Sequence, residues 1–112
     1  MQAIDRELLE LAAKAAGYDT RHPWNAERML MNPQVVGLCI TGVSTNWNPL
    51  DHDSDALRLA VKLRLSVDCT ANDGPQVDDT HKGHRTNWGP DPYAATRRTI
   101  VRAAAEIGRG MK

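Results

Sequence analysis

His81 and His84 stand three residues apart, one residue after the acidic pair Asp78-Asp79. Histidine nitrogens and carboxylate oxygens at that spacing are zinc-ligand types, which makes this stretch the candidate metal site. The competing reading is a solvated polar loop, because no second ligand pair with a matching motif completes the set. Asp51, Asp53 and Asp55 alternate like the opening ligands of a calcium loop. The rest of such a loop is missing: Ala56 stands where its glycine belongs and Lys62 where its bidentate glutamate belongs. Helix capping is the better account of these acids. Cys39 and Cys69 fall inside apolar, strand-like runs, where thiols pack as inert core, and nothing orients a histidine base for a Cys–His nucleophile. The chain has no phosphate loop, no Gly-x-Ser-x-Gly elbow and no zinc-protease helix.

The remaining candidates are binding groups. Arg97, Arg98 and Arg102 form a local basic patch beside Tyr93. Such a patch either recognises a phosphate or an acidic protein surface, or is a solvated helix flank with one arginine paired to Asp51 or Asp55. Trp47 and Trp88 sit in an internal echo, Thr45-Asn46-Trp47-Asn48-Pro49 and Thr86-Asn87-Trp88-Gly89-Pro90. Two equivalent strand-to-helix corners, each plugged by a tryptophan, explain the echo better than a paired binding groove. The candidate binding residues are therefore Trp47, Trp88, Tyr93, Arg97, Arg98 and Arg102, with His81 and His84 for metal.

Periodicity and punctuation supply the elements that must position them. Residues 4–16 read as a helix with Ile4, Leu8, Leu11, Ala12 and Ala15 on one face, ended by Gly17. Residues 18–25 read as loop, and 26–31 as a helical turn or a short strand. Val35 to Val43 is a strand by its β-branched content, and Asn46-Trp47 begins another. One of Asp51, Asp53 or Ser54 caps the next helix, whose apolar stripe is Leu57, Ala60 and Val61. Arg64 occupies the position where a sharp helix end favours glycine. Leu65 to Thr70 is a strand, 71–85 a polar connection or a poorly ordered hairpin tip, and Thr86 to Gly89 a short strand. Asp91-Pro92 opens a last helix with Ile100, Val101, Ala104 and Ile107 inward and Gly108 as its stop.

At 112 residues the chain has the size of one domain, residues 1–112, able to build a core without disulfides. The formal net charge is +0, so no global basic field draws nucleic acid or an anionic membrane. No apolar run approaches a membrane span, and the N-terminus lacks a signal-peptide layout. The expectation is a cytoplasmic protein, a monomer or homodimer. Phenylalanine is absent, so the core rests on aliphatic residues and a few tryptophans.

Trp47-Asn48-Pro49-Leu50 with Asp55 to Leu63, and Asp91-Pro92-Tyr93-Ala94-Ala95-Thr96-Arg97-Arg98 with Ile100 to Gly108, resemble a family of small phage and prophage proteins carrying the phage ABA-sandwich domain. The resemblance covers the middle, the C-terminal third and the general form of the first helix. Arg64 replaces the usual glycine, and the polar, histidine-bearing 71–88 segment replaces a plainer hairpin. The resemblance implies a phage or prophage protein of the bacterial cytoplasm and no particular activity or cofactor. The expected fold is α+β, a layered sandwich in which a small antiparallel sheet is flanked by helices in the order α-β-β-α-β-β-α. The expected function is an accessory role, binding an unidentified host or phage protein without catalysis, of which inhibition of a host defence system is one form. The alternative is a small-ligand or nucleotide binder or hydrolase using polar groups near the Trp47 and Trp88 corners.

Overall fold

Asp91 and Pro92 begin the longest helix of the computed structural model, which describes residues 2–31, 37–79 and 82–111. The Asp91 carboxylate accepts from the N–H groups of Tyr93 and Ala94, two donors that a helix start leaves unpaired. Among the described residues there are four helices: α1 (Gln2–Ala15), α2 (Pro23–Met31), α3 (Asp53–Lys62) and α4 (Pro92–Arg109). Two antiparallel sheets accompany them. One pairs β1 (Leu38–Ile40) with β2 (Ser44–Trp47). The other has the order β3 (Ser66–Asp68), β4 (Gln76–Asp78), β5 (Gly83–Arg85). The fold is α+β, but the one sheet expected is two, separated in sequence by α3. The supposed long connection at 71–85 carries β4 and β5, while Thr86 to Gly89 forms no strand.

α4 is the hub. It packs against α1, α3, β4 and β5, and small or β-branched side chains are buried around it: Ala95, Thr99, Val101, Ala103, Ala104 and Ala105. Gly108 lies within this helix and does not stop it. A Cβ there would stand 2.0 Å from the Leu11 carbonyl oxygen, so the glycine sets how closely α1 and α4 approach. The same closeness explains why α1 is rotated from its expected face. The buried positions are Arg6, Leu9, Ala12, Ala13 and Ala16, while Leu8, Leu11 and Ala15 are only half-buried. Alanines fit a tight helix crossing; leucines at the same positions would hold the helices apart. α3 is turned likewise, burying Ala56, Leu59 and Ala60 and leaving Leu57 and Val61 out.

Of the two readings of 26–31 the helical one holds, but α2 starts earlier than expected: Pro23-Trp24-Asn25 reads as loop, and the proline is in fact its first residue. His22 Nδ1 accepts from Trp24 N–H at 3.1 Å and so serves the helix start. Asn25, buried, docks this helix on the first sheet. Its Nδ2 donates to Cys39 O at 2.9 Å and its Oδ1 accepts from Cys39 N–H at 2.7 Å, as a neighbouring strand would. Arg6 Nη2 in turn donates to Asn25 O at 2.9 Å.

Trp47 plugs its corner as expected. It is 2% exposed and meets Tyr18 edge to face, with ring centroids 5.6 Å apart. The acids that follow do not cap α3. His52 is the cap residue and makes no side-chain cap bond. Asp55 reaches back to the Asn48 N–H at 2.9 Å, Asp51 accepts from Asn48 Nδ2 at 3.2 Å, and Asp53 pairs with Arg97. Asn48 thus gathers the turn that the acids were expected to cap. Arg64 adopts φ 56°, the left-handed conformation expected at its position, while the Leu65 N–H returns to Ala60 O.

Gly108→Ala should destabilise the fold by about 1–3 kcal/mol, because the helix backbones must separate. Asn25→Ala should cost about 2–4 kcal/mol by leaving two buried Cys39 groups unpaired. Arg64→Gly should stabilise by about 1 kcal/mol through relief of the left-handed penalty. Urea denaturation followed by circular dichroism measures all three.

Candidate functional site

The outward turn of α3 leaves a large apolar side chain beside a concavity. Leu57 is 64% exposed at its rim, on a helix that buries Ala56, Leu59 and Ala60; Val61, 69% exposed, lies outside the lining. Across from Leu57 runs β3. Register pairs Val67 with Val77, so both point to the same side of the sheet, and Val77 is buried in the core. Val67 and, two residues on, Cys69 therefore face the gap between β3 and α3. α4 closes the back with Tyr93, Thr96 and Ile100. Trp88 closes one wall, its indole held by a 2.9 Å bond from Nε1 to Ala71 O. Ala56 and Ala60 complete a groove of about 490 Å3.

Asp53 and Arg97 are the charged residues of its lining. Arg97 Nη1 bonds Asp53 Oδ1 at 2.7 Å and Nε bonds Leu50 O at 2.7 Å. This arginine is a strut that ties α4 to the start of α3, and the pair neutralises itself. The groove is consequently apolar, with little to polarise a reacting bond.

The sequence-derived candidates divide accordingly. Trp88, Tyr93 and Arg97 meet at the groove. Trp47 does not: it is core, closed to any ligand. The basic patch does not assemble either, since Arg98 grips the Asp5 carboxylate through two bonds of 3.1 and 3.2 Å, and Arg102 stands exposed on α4 apart from the groove lining. The acids that pair with Arg97 and Arg98 are Asp53 and Asp5, not Asp51 or Asp55. His84 lies on β5 with Nε2 buried, 3.8 Å from the Asp79 carboxylate; its proposed metal partner His81 falls outside the described residues. Among the described residues no three His, Cys, Asp or Glu side chains gather as a metal site. Cys39 is buried as expected, but Cys69 is exposed just past the short strand, where the sequence suggested core. Leu57, Val67 and Cys69 are the groove residues that sequence reasoning missed as a site. An apolar residue facing water beside an alanine face was the available signal.

A second, shallower trough of about 770 Å3 runs along α1 by Glu7, Glu10, Lys14, Asp19 and Arg21. Several of its charges are already engaged. Arg21 grips Asp19 and pulls that carboxyl down to about 2, and Lys14 Nζ donates to Met111 O at 2.8 Å. It offers no comparable apolar surface, so the groove is the candidate site.

The arrangement defines an α+β protein with a solvent-open apolar groove between α3, α4 and an edge strand. Compared with protein-family models, with curated proteins and with solved structures, the chain matches none.

In the folded protein Cys69 should react with a maleimide while Cys39 reacts only after unfolding. Mass spectrometry of peptides from native and urea-treated samples checks this assignment of the two thiols.

Proposed function

We propose that this chain is a non-catalytic binding protein that holds a protein partner in the groove between α3, β3 and α4. The observation that carries the reading is the clustering of Leu57, Val67, Trp88 and Tyr93 around one concavity with an internally neutralised charge pair. Contiguous apolar surface open to water costs solvation free energy and marks interaction sites. An accessory protein of a phage or prophage, acting in the host cytoplasm on a host or phage protein, is the biological role that goes with it. The ABA layering of the resembled family belongs to the same proposal. It is supported by the position of α4, which touches α1 and also β4 and β5. Inhibition of a host defence enzyme is one form that such binding takes.

The groove's volume favours a second reading, a small apolar ligand, because ligand sites fall in the same size range. Native mass spectrometry separates the two readings by showing a retained small molecule or none.

The test is capture from bacterial lysate by the wild type, by Leu57→Asp and by Arg21→Ala, whose side chain lies in the trough away from the groove. A protein recovered by wild type and Arg21→Ala, and reduced about tenfold or more by Leu57→Asp, supports the reading. Equal recovery by all three overturns it.

A further inference from the structure

The walls of the groove differ in kind: one is helix, the other is the open edge of a sheet. The Asp79 N–H donates to Lys82 O at 3.0 Å, which fixes the phase of the β4–β5 ladder. Antiparallel bonding alternates, so Val77 directs its main-chain groups to β5, and Gln76 and Asp78 direct theirs to β3. Their register partners Asp68 and Ser66 answer them. Val67 is left with its N–H and C=O pointing off the sheet, away from β4. Among the described residues β3 pairs with β4 alone. The edge at β1 is treated differently, since the Asn25 amide occupies both main-chain groups of Cys39.

Charge adds a second constraint. Arg58 on α3 and Arg64 just past its end are exposed, outside the groove lining itself, and neither has an ion-pair partner among the described residues. The acids on the two facing elements are occupied: Asp53 and Asp55 of α3 by Arg97 and by the Asn48 N–H, and Asp68 of β3 by the Thr70 N–H and hydroxyl.

We infer that the occupant of the groove is an extended peptide segment of the partner that adds as a fourth strand to β3, placing alternate apolar side chains between Leu57 and Trp88 and acidic ones beside Arg58 and Arg64. This rests on the binding reading given above. Strand addition uses both features together: main-chain bonds to Val67 hold the segment, and period-2 side chains fill the groove. A docked helix satisfies its own main chain and leaves the Val67 groups unanswered.

The test selects peptides from a displayed random library on the wild-type protein and measures the enriched ones on Val67→Ala, Val67→Pro, Arg58→Glu and Leu57→Asp. Proline deletes the outward N–H while sparing the bonds to β4. Expected are peptides with apolar residues at every second position and flanking acids. Their affinity should fall about tenfold more on Val67→Pro than on Val67→Ala, and about threefold on Arg58→Glu. Circular dichroism checks that Val67→Pro is folded. Amide hydrogen exchange of wild-type Val67, slowed by bound peptide, gives the same answer without any substitution. Peptides with helical apolar spacing, lost on Leu57→Asp but indifferent to Val67→Pro and leaving Val67 exchange unchanged, overturn strand addition while the groove stands. Enriched peptides indifferent to Leu57→Asp, or no enrichment at all, overturn the groove reading with it.

Discussion

The close crossing of α1 and α4 governs the rest of the molecule. Gly108 lies against the Leu11 carbonyl, and alanines from both helices fill the contact. A helix that presents small side chains so widely cannot fill space on all its other sides. Towards α3 it offers Ile100 and Thr96, and α3 answers with Ala56 and Ala60. Side chains this small leave a groove between the two helices, with β3 bordering it. The groove follows from a shortage of bulk, with Leu57 and Val67 displayed around it.

That choice also explains how much of the fold was legible. Punctuation survived in part the passage from sequence to structure: Gly17 with positive φ, Asp91-Pro92 at a helix start and Arg64 in the left-handed region held, while the stop at Gly108 and the acidic cap of α3 did not. Those that held depend on local chemistry alone. Helix existence survived where alanine and leucine run long, and so did the inward face of α4 with Ile100, Val101 and Ala104, but the rotations of α1 and α3 did not. Period-3.6 reasoning sends Leu57, Val61, Leu8 and Leu11 inward because it counts hydrophobicity; the structure sends alanines inward with one leucine on each helix, Leu9 and Leu59, because the contact is close. Strands of three or four residues hold too few alternations to declare a period, so β4 and β5 were hidden in polar chain. The candidate site was half legible. Trp88, Tyr93 and Arg97 belong to it, while its opposite wall was concealed by the wrong rotation of α3. The matching tryptophan motifs were misleading in another way: equal local sequence gave one core plug and one groove wall, because Trp47 has Tyr18 against it and Trp88 faces the gap.

Polar groups buried in so small a protein need named partners, and Asn25 shows the economy involved. Its side-chain amide closes a strand edge and anchors α2, while its main-chain carbonyl accepts from Arg6. No hydrophobic residue could do this, since Cys39 would keep a buried donor and acceptor without answer. The arginines are spent in a similar manner: Arg6, Arg97 and Arg98 hold elements together, so that positive charge in the sequence overstates what is offered to a partner.

Because phenylalanine is absent, the three tryptophans carry nearly all the near-ultraviolet signal, and they occupy three different surroundings. Trp47 is sealed, Trp24 is 47% exposed on α2, and Trp88 borders the groove. The molecule is thus supplied with its own emission reporters. A blue, quench-resistant component tracks integrity, a red one tracks solvent, and the third responds to whatever enters between α3 and β3, with no dye attached.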